Sequence, residues 1–212
     1  AAPSKVSLKR DALWTGLDVF INGGVTFLFR LVLARILAPS DFGMIAMALT
    51  TYTIVKVMTD FGLAAAVIQR PEEKFSVDVV NTAFSASVIV SITLFLVNLF
   101  AVAPLAAWFY DSVTVGEVTA VIGVTLLFTP VASIGRAILF RQRRYRAATT
   151  ARIISSAVSI LAAIAYLLIS TDVWVFVVQI VTAQLVLAIA LYVSGDWKPR
   201  LNLDRGTFSE IF

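Results

Sequence analysis

Charged side chains interrupt two long apolar segments between residues 30 and 70. Arg30, Arg35, Lys56 and Asp60 lie within these segments or at their ends. Charge at membrane depth is costly, so such residues face protein or a water-filled cavity and commonly mark a functional site. Guanidinium and ammonium groups are strong hydrogen-bond donors to anionic oxygens, particularly in a partly dehydrated site. We therefore expect part of a binding site for an anionic ligand, with Arg30 and Lys56 as its main basic residues.

A polar stripe leads to the first of these residues. Asp18, Asn22, Thr26 and Arg30 are spaced by four, and such a set drifts by about 40° per step around a helix. We expect the stripe to face a cavity, with Asn22 beside the ligand. The alternative is that Arg30 snorkels towards the membrane interface.

Two acidic residues fall well inside the apolar segments that could span a membrane. They are Asp18 and Asp60, which makes them candidates for coupling transport to a proton or a sodium ion. Asp60 also lies four residues after Lys56, a spacing at which two side chains can pair on one helix face. The alternative for Lys56 and Asp60 is that they form a snorkelling pair at the inner interface.

Composition sets the class of protein. The chain is 59% hydrophobic and 14% charged, and its mean hydropathy is +0.92, whereas soluble domains are about 45–50% apolar and about 25% charged. The apolar runs are long and do not alternate, as expected for membrane helices and not for barrel strands. There is no cysteine and no histidine. These absences argue against disulfides, thiol or imidazole chemistry and most metal sites, so we expect no metal and no cofactor.

The hydropathy pattern predicts an all-α integral membrane protein with a bundle of six transmembrane helices, residues 12–195. Residues 1–11 form a tail, and residues 196–212 form a linker that approaches a seventh helix. A span needs about 20 apolar residues. The six spans are predicted near residues 12–37, 42–67, 80–107, 115–139, 148–169 and 173–194.

The distribution of lysine and arginine predicts the orientation. The positive-inside rule places both termini in the cytoplasm, and this also explains the net charge of +4 without a nucleic-acid partner. Arg35 is then the one basic residue at an outer end, and Arg30, Lys56, Arg136 and Arg152 fall within spans. The other basic residues lie on the inner side: Lys5, Lys9, Arg10, Arg70, Lys74, Arg141, Arg143, Arg144, Arg146, Lys198, Arg200 and Arg205.

Two further patterns bear on the bundle. Pro130 lies inside the fourth span, where the missing backbone donor should kink the helix. The last two spans carry uncharged polar residues, for which we expect hydrogen bonds between helices or, alternatively, the lining of a cavity. These residues are Ser155, Ser156, Ser159, Gln179, Thr182 and Gln184.

Three segments together carry a family resemblance. LARILAPSDFG, then TDFGLAAAVIQR, then ILFRQRRYRA followed by a serine-rich helix, resemble the polysaccharide transporter branch of the MOP flippase superfamily, which includes the Wzx-type O-antigen and capsule flippases. The resemblance implies one lobe of a two-lobed transporter, with a cationic cavity between two six-helix lobes. The second lobe would follow in the same full-length chain.

The resemblance also implies a function. Such a transporter turns an undecaprenyl-pyrophosphate-linked oligosaccharide from the cytoplasmic to the periplasmic leaflet of the bacterial inner membrane, by alternating access and without making or breaking a bond. By position, Arg30 and Lys56 match the basic cavity residues of the family's first two helices. Arg35, in the LAR motif at the outer end of the first helix, is a further candidate for binding the substrate. The chain ends after the sixth helix, so a second lobe's cavity residues are absent.

Two other functions remain open at the level of sequence. A MATE-like cation-coupled drug antiporter has the same architecture but prefers acidic residues in its cavity. A membrane-embedded enzyme of lipid-linked sugar assembly would need paired carboxylates near a membrane face, whereas the outer acids Asp111, Glu117 and Asp172 are scattered along the sequence.

Overall fold

The computed structural model describes residues 23–59 and 77–195, and every regular element in these ranges is helical. The predicted all-α class is therefore confirmed. We number the helices α1 to α6: α1, residues 23–36; α2, Pro39–Val57; α3, Val77–Val97 continued by a π-helical turn Asn98–Val102 and by Ala103–Phe109; α4, Val113–Gly123 continued by a 3-10 turn Val124–Phe128 and by Thr129–Arg141; α5, Tyr145–Leu167; and α6, Trp174–Ser194.

Four of these helices are long and apolar enough to cross a membrane. They are α3 to α6, over Asp78–Phe109, Val113–Arg141, Tyr145–Leu167 and Trp174–Ser194. Large apolar side chains on them are exposed, among them Phe100 (74%) and Val193 (75%). Exposed surface of this kind matches hydrocarbon and not water. The predicted first and second spans extend into residues outside the described ranges, so their membrane crossings remain predictions.

The connection between α1 and α2 consists of Leu37 and Ala38 alone. α2 begins at Pro39, because the fixed φ of proline suits the first helical position, where no N–H bond is needed. The Asp41 carboxylate then accepts a hydrogen bond from the Ala38 N–H (3.2 Å). An acidic side chain three residues after the N-cap satisfies an N–H that the helix leaves unpaired. These residues therefore form the first turn of α2.

α4 changes helix type immediately before Pro130. The 3-10 turn Val124–Phe128 ends where Thr129 donates its N–H to the carbonyl of Leu126. Proline lacks an N–H, and its ring crowds the carbonyl four residues earlier, so a regular α-helix cannot continue through it. The Thr125 hydroxyl donates to the Ile122 carbonyl (2.6 Å) and Thr129 donates to Thr125 (3.1 Å). Threonine hydroxyls thus donate hydrogen bonds to backbone carbonyls where α4 changes helix type.

The π-helical turn in α3 was not predicted from the sequence. At its start, Asn98 is fully buried and donates from its amide to the Thr119 carbonyl of α4 (3.0 Å). A Cβ added to Gly123 would overlap the Asn98 amide. The absence of a side chain at Gly123 therefore gives the Asn98 amide its space between α3 and α4.

The described core consists of one large cluster and two small ones. The large cluster contains residues from all six helices. It lies in the half of the bundle that contains the α1–α2 and α5–α6 connections, and Leu33, Ile122 and Val175 in it are fully buried. Near the α4–α5 turn, one small cluster joins α3 to α4 around Phe84 and Ile134. The other joins the ends of α4, α5 and α6. The described members of these small clusters come from α3 to α6 only.

Candidate anion-binding cavity

A cavity of about 630 Å³ is lined by α1, α2, α4, α5 and α6. It borders the large hydrophobic cluster, since Ile180 belongs to both. Its α4 residues, 129–140, lie in the half of that helix nearest the α4–α5 turn, and its α5 residues, 152–159, lie in the middle of α5. The described lining residues are four basic, eight uncharged polar and six apolar: Thr26, Arg30, Lys56, Thr129, Ala132, Ser133, Arg136, Ala137, Phe140, Arg152, Ser155, Ser156, Ser159, Gln179, Ile180, Ala183, Gln184 and Leu187.

The four basic residues are Arg30 on α1, Lys56 on α2, Arg136 on α4 and Arg152 on α5. These are the same four that the sequence places within predicted spans. None of the lining residues in the described ranges is acidic. A concentration of like charge in a recess raises the local potential and attracts anions. The cavity is therefore suited to an anionic ligand.

Lys56 is supported by an aromatic residue one turn earlier on α2. Its Nζ lies 5.9 Å from the centroid of the Tyr52 ring, within cation–π range. The Tyr52 hydroxyl lies 2.7 Å from Thr125 Oγ1. Because the Thr125 hydroxyl donates to Ile122, Tyr52 is the donor in this bond. Tyr52 thus connects a basic cavity residue with the 3-10 turn of α4.

The uncharged polar residues come chiefly from α4, α5 and α6. The Ser155 hydroxyl donates to the Ala183 carbonyl of α6 (2.6 Å), a bond between helices. Ser159 donates within α5 to the Ser156 carbonyl (2.9 Å). Ser155 and Ser159 also line the cavity, together with Gln179. Ser155 therefore has both predicted roles: it forms a hydrogen bond between helices, and it lines the cavity.

The structure brings some of the predicted site residues together. Arg30 and Lys56 line one cavity, and Thr26 of the polar stripe joins them. Arg35 is exposed on α1 and is not among the lining residues. Asn22, Asp18 and Asp60 lie outside the described residues, so their predicted roles remain predictions.

Sequence reasoning gave no site role to two of the basic lining residues. Arg136 and Arg152 flank the arginine-rich run of residues 141–146, whose arginines the positive-inside rule places on the cytoplasmic side. The available signal was the one used for Arg30, a basic residue inside an apolar span. The packing of α4 and α5 against the cavity is what brings these two arginines into one site with Arg30 and Lys56.

One of the scattered outer acids has a structural role. The Asp172 carboxylate accepts hydrogen bonds from the Ser170 hydroxyl (2.7 Å), the Tyr166 hydroxyl (3.1 Å) and the Trp174 N–H (3.0 Å). These bonds hold the connection between α5 and α6 and satisfy an N–H at the first turn of α6. Asp172 therefore stabilises this connection.

The fold and the cavity define an all-α, multi-pass membrane protein with a basic cavity. Residues 32–212 match the family described as "Polysaccharide biosynthesis protein". The chain belongs to this family, and the resemblance to polysaccharide transporters is confirmed.

A curated relative is similar over most of the chain. It is the succinoglycan biosynthesis transport protein ExoT of Rhizobium meliloti (strain 1021), 25% identical over 195 residues. The match covers 92% of this chain and 39% of that protein. The chain therefore spans well under half the length of this relative. No solved structure matches the chain significantly.

Proposed function

We propose that this chain is one lobe of a flippase for undecaprenyl-pyrophosphate-linked oligosaccharides. The full-length protein moves the head group from the cytoplasmic to the periplasmic leaflet of the bacterial inner membrane during surface polysaccharide biosynthesis. The observation that carries the proposal is the convergence of Arg30, Lys56, Arg136 and Arg152 on one cavity. Membership of a polysaccharide biosynthesis family supports the class of cargo.

The charge of the cavity suits this cargo. A pyrophosphate group presents several anionic oxygens, and arginine and lysine hold such oxygens through short, charge-assisted hydrogen bonds. Moving that group and a chain of sugar hydroxyls through hydrocarbon without compensation would cost many kcal/mol. A basic cavity inside the bundle replaces water around the head group, while the polyprenyl chain stays in lipid. The protein lowers the barrier without chemistry on the cargo.

The position of the cavity suits loading from the cytoplasm. Its α4 residues lie in the half of that helix nearest the α4–α5 turn, around Arg143, and the positive-inside rule assigns this turn to the cytoplasm. On the opposite side, the large cluster packs α1 to α6 together with fully buried side chains such as Leu33 and Val175. The described arrangement therefore favours a lobe closed towards the periplasm.

A second lobe completes the proposed site. The chain spans 39% of the ExoT sequence, which leaves room for a further bundle in a protein of that length. An oligosaccharide is also larger than a drug-sized ligand, for which pockets of about 300–1,000 Å³ are typical. We propose that the cavity of 630 Å³ is one half of the transport site. Alternating access, coupled to an ion through Asp18 and Asp60, remains part of this proposal.

Complementation tests the function. A strain that lacks its own flippase receives the full-length gene with Arg30→Ala, Lys56→Ala or both, and surface polysaccharide is measured. We expect the double variant to lose polysaccharide export, because two of the four donors to the pyrophosphate are removed. Protein level in the membrane is measured in parallel. Normal export by the double variant would contradict the proposed role of the cavity.

A matched control is available on the same chain. Arg143 is exposed in the α4–α5 turn and does not line the cavity. Arg143→Ala removes the same charge and side-chain class without touching the site, so export is expected to continue. A loss of export in this variant equal to that in Arg30→Ala would show that total charge, and not the cavity, determines the phenotype.

The MATE-like alternative makes a different prediction. A cation antiporter would place carboxylates against its substrate, whereas the described lining residues carry four bases and no acid. The same strains separate the two functions. Loss of drug tolerance with intact polysaccharide export in the Arg30→Ala, Lys56→Ala double variant would favour the antiporter.

A further inference from the structure

One wall of the cavity consists mainly of uncharged polar side chains, in contrast to the basic residues described above. Ser155, Ser156 and Ser159 of α5 and Gln179 and Gln184 of α6 all line the cavity. α5 and α6 pack along each other over most of their length, so these residues form one continuous surface. We call it the α5–α6 wall. It carries Arg152 at one end and is otherwise uncharged.

The protons of several hydroxyls facing the cavity are already engaged. Ser155 donates to Ala183 (2.6 Å) and Ser159 donates to Ser156 (2.9 Å). On α4, Ser133 donates to the Pro130 carbonyl at 3.3 Å. A hydroxyl has one proton and two lone pairs, so a hydroxyl that has given its proton to a carbonyl can still accept. Towards the cavity these oxygens act as acceptors.

The basic residues suit a phosphate group, whereas these serine acceptors suit sugar hydroxyls. Arginine and lysine only donate, and phosphate oxygens at neutral pH mainly accept, so these two complement each other. Phosphate gains nothing from a serine oxygen that can only accept. Sugar hydroxyls, in contrast, both donate and accept. An acceptor wall next to a donor wall therefore matches a head group in which a sugar is attached to a phosphate.

Gln179 and Gln184 complete this match. A glutamine amide offers two donors and one acceptor oxygen at a single position. Such a group can bind two neighbouring hydroxyls of a sugar ring at once. Gln179 is nine-tenths buried, which fixes its amide more firmly than that of a surface glutamine. A site built to hydrogen-bond hydroxyls discriminates strongly against a ligand that lacks them.

We propose that the α5–α6 wall is a sugar subsite. Gln179 and Gln184 bind hydroxyls of the saccharide nearest the pyrophosphate, and the serine oxygens accept from others. The inference rests on the proposed function, since it assumes that the cavity takes a phosphate-linked sugar. It goes further by dividing the cavity into a phosphate side, formed by the basic residues of α1, α2 and α4 with Arg152 of α5, and a sugar side, formed by the uncharged polar residues of α5 and α6.

A pair of probes tests the subsite in the full-length protein in lipid nanodiscs. One probe is undecaprenyl pyrophosphate, and the other is the same lipid with one hexose attached. Dissociation constants are measured for the wild type, Gln179→Leu, Gln184→Leu, Arg30→Gln and a control, Thr182→Val. Leucine keeps the approximate volume of glutamine and removes its hydrogen bonds, and an apolar side chain is tolerated in a membrane helix. Thr182 is on α6 and does not line the cavity.

We expect each glutamine variant to weaken binding of the hexose-bearing probe by about threefold to tenfold, the effect of losing one or two neutral hydrogen bonds. Binding of the bare pyrophosphate should change by less than about twofold on the same grounds. Thr182→Val should change neither. Equal binding of the two probes by the wild type would overturn the subsite, and so would an equal loss for both probes in the glutamine variants.

The same measurements separate this inference from the proposed function. Arg30→Gln should weaken both probes together, because it removes a phosphate donor. If Arg30→Gln changes neither probe, the anion site fails, whatever the glutamine variants show. A different outcome is that Arg30→Gln weakens the binding of both probes while the glutamine variants bind each probe as the wild type does. In that case the anion site stands and the sugar subsite fails.

Discussion

The Tyr52 hydroxyl and Thr125 Oγ1 lie 2.7 Å apart and join α2 to the 3-10 turn of α4. Both side chains are buried, at 5% and 2% exposure. The ring of the same tyrosine lies beneath the Lys56 ammonium. One side chain therefore contacts a basic residue of the cavity and the break in α4, and the cavity residues Thr129, Ser133 and Arg136 follow that break directly.

The first prediction concerns this bond. Tyr52→Phe keeps the ring under Lys56 and removes the hydroxyl, so it should lower the free energy of unfolding by about 1 kcal/mol, the net value of a typical hydrogen bond. We expect transport to fall as well, because the break in α4 loses this hydrogen bond to α2. Thermal unfolding in detergent and polysaccharide export measure the two effects.

A double-mutant cycle isolates the pair. Thr125→Val removes the same bond from the other side, and the combined variant should lose less than the sum of the two single changes. Tyr192→Phe serves as the control, because Tyr192 is exposed on α6. Strict additivity of Tyr52→Phe and Thr125→Val would show that the two hydroxyls are not coupled.

The second prediction concerns the close approach of α3 and α4. Gly123→Ala places a Cβ into the Asn98 amide, so it should destabilise the protein by about 1–3 kcal/mol, the cost of overpacking. Gly43→Ala is the matched control. Gly43 lies inside α2 with nothing within 4 Å of an added Cβ, and alanine there should stabilise by up to about 1 kcal/mol. Thermal unfolding of both variants is the measurement; equal midpoints would contradict the packing of Asn98 against Gly123.

The third prediction concerns the two arginines that sequence reasoning did not assign to the site. Arg136→Gln and Arg152→Gln should each weaken binding of undecaprenyl pyrophosphate by about tenfold or more, since hydrogen bonds between charged groups are worth about 1.5–3 kcal/mol. Arg143→Gln, at the exposed turn, should leave the dissociation constant unchanged. Binding in nanodiscs checks this, and wild-type affinity in both cavity variants would remove α4 and α5 from the phosphate site.

The fourth prediction concerns orientation. The 212 residues contain no cysteine, so a single introduced thiol in a cysteine-free full-length protein reports one position. Ser112→Cys, in the α3–α4 connection, should react with a membrane-impermeant maleimide in cells whose outer membrane is permeabilised. Arg143→Cys should react only after the inner membrane is opened. The opposite pattern would invert the predicted topology and place the cavity towards the periplasm.

Sequence alone determined the class of this protein. Apolar runs of membrane length leave the backbone no partner but itself, so composition is enough to predict an all-α bundle. The family was also readable from sequence, from the order of three segments around residues 30–70 and 136–152. Proline chemistry predicted the interruption of α4, because the missing N–H at Pro130 is a local property.

The tertiary structure decided which charged residues form one site. Arg136 and Arg152 are separated in sequence from Arg30 and Lys56, and nothing in the local pattern shows that the four share one site. Their common cavity arises from the packing of α4, α5 and α6 and from the placement of α1 and α2 against them. The place of the buried Asn98 amide has the same origin, since it depends on the space at Gly123 of the neighbouring helix. Contacts between distant segments have no local signature, so only the folded chain reveals them.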